Sequence, residues 1–374
     1  MAKKNWKVPF TYLDQQFAHP EKYFTALTET VLNGDFTLGK KLVEFESNFA
    51  KKIGVKYAIG VNSGTDALYL SLKALGIGSR DEVITAPNSF IATAAIIALT
   101  GAKPVFADVR DDYNIDPNLI EAAINSRTRA ILPVHLTGIP ADMYPILEIA
   151  KNHKLAVIED AAQAALAKYD KKFVGTFGKT CAFSLHPLKI LHVWGDGGII
   201  TTDDSKLAQK LRLWRNHGLL DRDHCEFFAH NSRLHTIQAA IANMVLPHLE
   251  GFIAKRRKLA SLYNSYLKKL YPWVQLSDLK IQKAPISTTF TTYVIQVKKR
   301  DRLIEFLTSK GIEVKVHYPI PIHLQKAAKY LGFKKGDFPV CEKQAETILS
   351  LPCHQYLSGS DVDYVCESIK EFYV

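Results

Sequence analysis

The stretch YAIGVNSGTDALYLSL, residues 57–72, decides the fold class of this sequence. Its first five residues are apolar and favour a β-strand, and apolar residues then recur at helical spacing through DALYLSL. Asn62, Ser63 and Gly64 separate the two patterns. A polar side chain there can cap a helix, and a glycine lets a ligand approach the backbone closely. The stretch therefore predicts a strand that passes through a tight turn directly into a helix.

The same strand-to-helix unit recurs up to about residue 201. The further strand candidates are short apolar runs: EVITA (82–86), PVFAD (104–108), AILPV (130–134) and LAVIED (155–160). Helix-period segments separate these runs, which predicts an α/β fold with a mostly parallel sheet covered by helices on both faces. Ligands of such sheets bind beyond the carboxyl ends of the strands, so residues directly after strands are the functional candidates.

The pattern changes in the last third of the chain. From about residue 234 to 270 the pattern turns helical, and strand-like FTTYVIQV (290–297) then precedes a helix pattern, DRLIEFLTSKG (301–311). We therefore predict a large domain over residues 1–250 and a smaller α+β domain over residues 251–374.

The amino-acid composition limits the classes of function that this protein can have. Of the 374 residues 47% are hydrophobic and 23% charged, as in ordinary globular proteins. The net charge of +11 alone would allow a nucleic-acid binder. The basic residues are, however, dispersed in short groups such as AKRRK (254–258), and we interpret most of them as solvated helix faces. A basic enzyme that acts on anionic small molecules fits the charge, and no nucleic-acid partner is expected.

Cysteine and apolar patterns indicate the compartment. The five cysteines form no C-x-x-C pair, which favours reduced thiols over disulfides or a zinc site, and no histidines form H-x-x-x-H or H-E-x-x-H. We predict no metal. No apolar run is long enough to cross a membrane, and none follows the basic N-terminus. A cytoplasmic protein without a membrane partner is expected.

The run VIEDAAQA (157–164) places a carboxylate at a strand end. Asp160 there can pair with a cationic ring nitrogen and keep it protonated, and Gln163 can donate a hydrogen bond to the same ligand. The structural alternative is an aspartate that caps the next helix.

The stretch CAFSLHPLKILHVWGDGGII (181–200) presents one lysine beside apolar chain. Pro187 biases the preceding residue to an extended conformation, so Lys189 falls on an irregular segment beyond the strand. Ser184 can offer a hydroxyl to a phosphate. Lys189 either extends its amine to water or holds it for chemistry.

Three of these features meet the needs of one cofactor. A strand-end carboxylate, a helix start that suits a phosphate and a lysine after a later strand match the ring nitrogen, phosphate and aldehyde of pyridoxal 5′-phosphate (PLP). Their conjunction favours the chemical interpretation of Lys189.

Ordered motifs extend this interpretation along nearly the whole chain. They include DEVITAPNSFIATAAII (81–97), PVHLTGIPADM (133–143), IEDAAQA (158–164), SLHPLK (184–189), GDGGIITT (195–202), NSRLHTIQAAI (231–241) and VHYPIPIHLQ (316–325). In these motifs the chain resembles the DegT/DnrJ/EryC1/StrS sugar aminotransferases. The resemblance implies an aspartate-aminotransferase-like large domain, PLP, and conversion of a nucleotide-linked keto sugar to an amino sugar with L-glutamate as donor.

The resemblance also implies residue roles. Lys189 would bond to the cofactor aldehyde, Asp160 would pair with the ring nitrogen, Gln163 would lie near the ring hydroxyl, and Phe90 would stack on the ring. The phosphate would be bound by Gly64, Thr65 and Ser184, and by Asn231 of a partner subunit, which makes a homodimer obligatory. Arg233, His317 and Tyr318 would reach the nucleotide sugar. The structural alternatives are a core phenylalanine for Phe90, and a surface ion pair or aromatic packing for the last three.

Departures from the family pattern bear on the substrate. WGDGG (194–198) stands where many members read TGEGG, which together with NSRL favours a 3-keto over a 4-keto sugar. EDAAQAALA (159–167) lacks a histidine that family members often carry after Gln-Ala, so the sequence does not predict which residues form the sugar pocket or which nucleotide is bound. The remaining alternatives are a C4-specific aminotransferase, a PLP-dependent sugar dehydratase and a non-catalytic binding or regulatory protein. Dehydratases of this scaffold typically carry histidine at the lysine position, so Lys189 favours transamination.

Overall fold

The computed structural model describes residues 6–277 and 282–374. The first five residues, which belong to the expectation about the N-terminus, lie outside the described residues. In the described part the strands are β1 Tyr57–Val61, β2 Glu82–Thr85, β3 Lys103–Phe106, β4 Thr128–Leu132, β5 Ala156–Asp160, β6 Lys168–Tyr169, β7 Lys172–Phe173, β8 Thr180–Ser184, β9 Gly198–Thr202, β10 Val274–Leu276, β11 Ile286–Ser287, β12 Tyr293–Val297 and β13 Ile348–Leu351.

The α-helices of the described part surround these strands. They are α1 Leu13–Gln16, α2 Glu21–Leu32, α3 Lys40–Ile53, α4 Gly64–Ala74, α5 Ile91–Leu99, α6 Pro117–Ile120, α7 Met143–Asn152, α8 Ser205–Trp214, α9 Thr236–Val245, α10 Leu249–Leu267, α11 Arg300–Ser309, α12 Pro339–Thr347 and α13 Gly359–Tyr373.

The central sheet has the strand order β1-β9-β8-β5-β4-β2-β3. β9 pairs antiparallel with β1 and with β8, and the other neighbouring strands pair in parallel. The predicted fold class, α/β with a mostly parallel sheet, is confirmed. The ends of β1, β5 and β8 therefore meet the start of β9 at one edge of the sheet.

Alternating side chains of the sheet enter different helical layers. In β8, Phe183 packs in the cluster that contains α3 and α9, while Ala182 packs in the cluster that contains α4 and α8. Ile199 and Ile200 of β9 divide in the same way. This period of two explains the near-continuous apolar strand runs of the sequence, since both faces are buried.

The C-terminal part has its own core. The sheet β10-β12-β13 is antiparallel and packs with α10, α11 and α13 in one apolar cluster, which also takes in Val8 from near the N-terminus. The predicted domain division after residue 250 falls in the first turn of α10 and stays a prediction.

The structure adds two details to the predicted helical region. Residues 234–270 do not form one run, because α9 ends before a 3₁₀ turn, Leu246–His248, whose Pro247 cannot donate an α-helical hydrogen bond. The AKRRK group is not wholly a solvated face, because Arg256 is only 1% exposed. Helical periodicity turns this one member of the group toward the core.

Two searches of the described residues bear on function. No helix among them combines the length and apolar character that a membrane crossing requires. Nor do residues 6–277 and 282–374 contain a group of three or more His, Cys, Asp or Glu side chains that could hold a metal ion.

Candidate functional site

A cavity of about 500 Å³ opens at the sheet edge where β1, β5 and β8 end. Nine of the eleven predicted site residues line it: Gly64, Thr65, Phe90, Asp160, Gln163, Ser184, Lys189, His317 and Tyr318. The cavity thus gathers side chains from the central sheet and from the segment after α11, which are far apart in sequence.

Asp160 is the buried carboxylate of this cavity. It is the last residue of β5 and is 5% exposed, with Oδ2 accepting a hydrogen bond from Thr93 Oγ1 at 2.9 Å and Oδ1 accepting one from the Ala162 amide at 3.1 Å. Burial raises the pKa of Asp160, against the two hydrogen bonds and the charge of Lys189. A cation bound in the cavity would offset this desolvation of the carboxylate.

Lys189 reaches the same cavity from the segment that follows β8. Its backbone is held in a turn by the hydrogen bond from its amide to the His186 carbonyl, at 2.8 Å. Burial lowers the pKa of Lys189, opposed by the charge of Asp160. A lowered pKa increases the neutral fraction of the amine, which is the form that attacks an aldehyde and accepts a proton.

The start of α4 forms a cradle suited to a phosphate. Ser63 caps the helix by accepting the Asp66 amide at 3.0 Å, while the amides of Gly64 and Thr65 belong to the first turn, where a helix has no internal acceptors for its N–H groups. A Cβ on Gly64 would lie 2.7 Å from Ser184 Cβ, and one on Gly198 would lie 2.2 Å from the Ser63 carbonyl oxygen. Glycine at both positions therefore lets β1, β8 and β9 close around this space without displacing their neighbours.

An aromatic pair lines one side of the cavity. The rings of Phe90 and Tyr318 lie 5.7 Å apart between centroids, and Phe90 is 53% exposed in the single chain. Gln163 Nε2 donates to the Tyr318 hydroxyl at 3.4 Å, and its Oε1 accepts the Thr137 amide at 2.9 Å. An exposed Phe90 is not a core residue, so the structural alternative for it is wrong.

Tyr318 and His317 are both neutral near pH 7. Burial, with the charge of Asp160, raises the pKa of Tyr318 to about 12. Burial, with the charges of Lys189 and Lys315, lowers the pKa of His317 to about 4. The His317 ring stacks on Phe10 at 5.6 Å and its Nδ1 lies 2.9 Å from Ser350 Oγ.

Asn231 and Arg233 lie together but outside the lining of this cavity. Arg233 Nε donates to Asn231 Oδ1 at 2.9 Å, and its guanidinium also reaches Asn216 Oδ1 at 3.1 Å. Neither of these two partners is a carboxylate, so these contacts among the described residues are not an ion pair, and the role of Arg233 stays a prediction. Asn231 is exposed in the single chain and does not line the cavity that the other predicted phosphate residues line.

Sequence reasoning missed three cavity residues that support the predicted ones. Thr93, which bonds Asp160, follows Phe90 by one helical turn, and a hydroxyl in the first turn of α5 was the available signal. Phe10 and Tyr12 also line the cavity. No local pattern near the N-terminus signals contacts with residues 176 or more positions away.

The donor set fits the cofactor expected from the sequence. The cavity holds a buried carboxylate for a ring nitrogen, helix-start amides with a hydroxyl for a phosphate, and an amine of lowered pKa for an aldehyde. Gly64 leaves room where a side chain would fill the cradle.

Comparison with known proteins gives matches over nearly the full length. Residues 19–370 match the DegT/DnrJ/EryC1/StrS aminotransferase family. The chain is 42% identical over 372 residues to a pleiotropic regulatory protein of Geobacillus stearothermophilus, covering 98% of each chain. It is 38% identical over 370 residues to the dTDP-3-amino-3,4,6-trideoxy-alpha-D-glucose transaminase of Streptomyces venezuelae, covering 98% of this chain and 96% of the relative.

A solved structure is similar to this chain in both fold and sequence. The crystal structure of S. venezuelae DesV in complex with a ketimine intermediate superposes with a TM-score of 0.94 at 37% identity, covering 98% of each chain.

Proposed function

This chain belongs to the DegT/DnrJ/EryC1/StrS aminotransferase family, and from that premise we propose that it transfers the amino group of L-glutamate to a nucleotide-linked 3-keto sugar. Its cofactor is pyridoxal 5′-phosphate. When bound, PLP supplies a ring that accepts the electrons left on carbon when a proton departs.

The chain's own residues supply binding and proton transfer. Lys189 Nζ would hold the cofactor through its aldehyde and, once the donor amine has released it, would carry the proton from the α-carbon of L-glutamate to the cofactor. In the second half-reaction Nζ would carry a proton in the opposite direction, to the sugar carbon that receives the amine. Asp160 keeps the ring nitrogen protonated by charge pairing, while Gly64, Thr65 and Ser184 hold the phosphate.

One observation carries the proposal: Asp160, at the end of β5, and Lys189, in the segment that follows the neighbouring parallel strand β8, share one cavity in which burial lowers the pKa of the lysine. A lysine that only extended to water would keep its charge, and its chemistry would be suppressed.

A visible absorption spectrum tests the proposal. Purified wild type loaded with PLP is expected to be yellow, because of an absorption band in the violet-blue region, and L-glutamate is expected to remove that absorption. Lys189→Ala should show neither the yellow band nor the response. Wild-type protein that stays colourless with PLP, or whose band glutamate leaves unchanged, would refute the proposed reaction.

The sugar position needs a separate assay. WGDGG and NSRL favour a 3-keto substrate, and the S. venezuelae relative is named for a 3-amino sugar. Amino-loaded enzyme should regain the yellow band with dTDP- or UDP-linked 3-keto sugars. Recovery with 4-keto sugars alone would reassign the enzyme to C4.

We also propose a cytoplasmic homodimer in which Asn231 completes the partner's phosphate site. Residues 216–231 form an irregular projection that carries Phe228, 98% exposed, and Leu220, 59% exposed. Apolar side chains this exposed are typical of a surface that another chain covers. Asn231 lies at the base of this projection, paired with Asn216.

Mixed dimers test the shared site. Lys189→Ala and Asn231→Ala should each have little activity alone, and co-refolding them should yield dimers with one site intact in both residues. Random pairing makes half of the dimers mixed, so about a quarter of wild-type activity is expected. No recovery would refute the contribution of Asn231 across subunits.

The G. stearothermophilus relative favours one second candidate, a regulatory protein that retains the fold. A regulatory protein of this fold would not respond to glutamate, whether or not it binds PLP. The spectral assay therefore separates the two candidates directly.

A further inference from the structure

We propose that residues 7–16, here called the N-terminal strap, position Lys189 for proton transfer, with Tyr12 as the principal positioning residue. The inference rests on the proposed role of Lys189. It concerns a segment that lies far from the lysine in sequence and contacts the two residues directly before it.

One end of the strap is fixed to the C-terminal part of the chain. Glu313 Oε2 accepts hydrogen bonds from the Phe10 amide at 2.9 Å and from the amide and hydroxyl of Thr11, both at 3.0 Å. The Lys7 amide donates to the Gly311 carbonyl at 2.8 Å. Hydrogen bonds to a carboxylate are stronger than neutral ones, so this end is firmly held.

The other end of the strap holds the lysine segment. The Tyr12 hydroxyl donates to the Leu188 carbonyl at 3.0 Å, and Gln16 Nε2 donates to the Pro187 carbonyl at 2.7 Å. Tyr12 and Gln16 are 6% and 8% exposed, so water competes little for these bonds. The Leu188 carbonyl belongs to the peptide group that joins Leu188 to Lys189, and fixing it fixes the origin of the lysine side chain.

A buried charge strengthens the Tyr12 contact. Arg256, 1% exposed, donates from Nη2 to the Tyr12 hydroxyl at 2.9 Å. Its other hydrogen-bond partners among residues 6–277 and 282–374 are neutral oxygens, including Gln355 Oε1 at 2.9 Å and the Cys353 carbonyl at 2.8 Å. A cation that donates to a hydroxyl polarises the hydroxyl's own proton, so the bond to the Leu188 carbonyl gains strength.

The lysine segment needs such support. Residues 185–197 contain no helix or strand, and a connection of this kind opens more easily than the strands on either side. Proton transfer by Nζ depends on placement, since a 1 Å error costs about 10²-fold in rate. Loss of strap contacts should therefore slow proton transfer more than it weakens cofactor or donor binding.

The test compares Tyr12→Phe and Gln16→Ala with a matched control, Tyr364→Phe, in PLP-loaded protein. Tyr364 also donates its hydroxyl to a backbone carbonyl at 3.0 Å, that of Lys310, away from the cavity. Phenylalanine at position 12 keeps the stacking on His354, at 4.6 Å, and leaves Gln355 to accept from Arg256, so the variant should fold.

Two readouts decide the proposal. Hydrogen–deuterium exchange of residues 184–193 should be faster in both strap variants than in wild type. Within this segment the backbone amides of Leu188 and Lys189 report directly on opening at the lysine. The rate at which glutamate removes the yellow band should fall about 10-fold in the strap variants, and the isotope effect with α-deuterated glutamate should be larger than in wild type. The glutamate concentration that gives half of the maximal rate should change less than about twofold. The control should match wild type in both.

An unchanged rate in the strap variants would overturn the proposal, whatever the exchange result. A slower rate without faster exchange would make Tyr12 a substrate contact and also overturn it, as would equal slowing in Tyr364→Phe. Wild-type protein that fails to respond to glutamate would instead refute the proposed function, so the two failures are distinguishable.

Discussion

Gly64→Ala tests the phosphate cradle by adding one methyl group at its wall. The new Cβ would lie 2.7 Å from Ser184 Cβ, 3.1 Å from its Cα and 3.2 Å from its Oγ. Ordinary contact begins near 3.4 Å, so Ser184 must retreat by about 0.7 Å, which is the difference between 3.4 and 2.7 Å. A hydroxyl hydrogen bond spans only ~2.5–3.0 Å, so this shift removes the Ser184 hydroxyl from a bound phosphate.

The expected magnitudes follow from those contacts. A hydrogen bond to a charged group contributes about 1.5–3 kcal/mol, so the dissociation constant for PLP should rise about 10- to 150-fold. Overpacking costs about 1–3 kcal/mol, and replacing a helical glycine by alanine returns about 0.5–1 kcal/mol. The protein without cofactor should therefore lose between zero and about 2.5 kcal/mol of unfolding free energy.

The assay is a PLP titration followed by visible absorption, with urea unfolding of the cofactor-free protein. Gly251→Ala is the matched control, because Gly251 lies exposed in α10 with no atom within 4 Å of the added Cβ. That control should bind PLP as wild type does and gain about 0.5–1 kcal/mol. Ser184→Ala should reproduce the weaker PLP binding without the overpacking.

Two results would refute the reasoning. Gly64→Ala that binds PLP within about twofold of wild type would mean that the cradle does not hold the phosphate. Weak binding in Gly64→Ala beside wild-type binding in Ser184→Ala would mean that displacement of the Ser184 hydroxyl is not the cause.

Asp160→Asn should slow the glutamate half-reaction about 10³-fold, because a charge pair at about 4 Å contributes ~4 kcal/mol at an effective dielectric of 20; stopped-flow absorbance measures it. Without cofactor, the raised pKa of Asp160 makes stability fall as pH rises from about 4 through the folded-state pKa, so this variant should melt no lower than wild type near pH 7. Thr93→Val removes a donor from that buried carboxylate and should cost about 1–3 kcal/mol in urea unfolding; an unchanged midpoint would contradict the contact. Burial lowers the pKa of His192 to about 4, so the stability contributed by its neutral form is lost as pH falls from about 6.5 to 4, at up to ~1.4 kcal/mol per pH unit. The melting temperature of His192→Gln should therefore depend less on pH across that window than the melting temperature of wild type does.

Local chemistry made much of the site predictable. Ser63 caps α4 and Asp160 ends β5 because strand and helix patterns fix positions within a few residues. The parallel sheet then brings strand ends together without any knowledge of side-chain packing. The comparisons with known proteins confirm the family, the fold class and the cofactor that the sequence predicts.

What the sequence could not predict depends on contacts between distant segments. The basic run AKRRK does not reveal that Arg256 turns inward, because its partners, Tyr12 and Gln355, come from opposite ends of the chain. The bond from Tyr12 to Leu188 likewise has no local signal. The individual roles assigned to Asn231 and to the other site residues stay predictions until the variants above are measured.

The antiparallel placement of β9 has a consequence for the order of folding. β8 and β9 are joined by residues 185–197, so the segment that carries Lys189 closes as a local hairpin, whereas β1 reaches β9 across the register pair Tyr57–Thr202. Closing a long loop costs more chain entropy than closing a short one, and distant pairings form late. We expect the β8–β9 hairpin to form before β1 joins it, so the phosphate cradle at the end of β1 is completed late in folding.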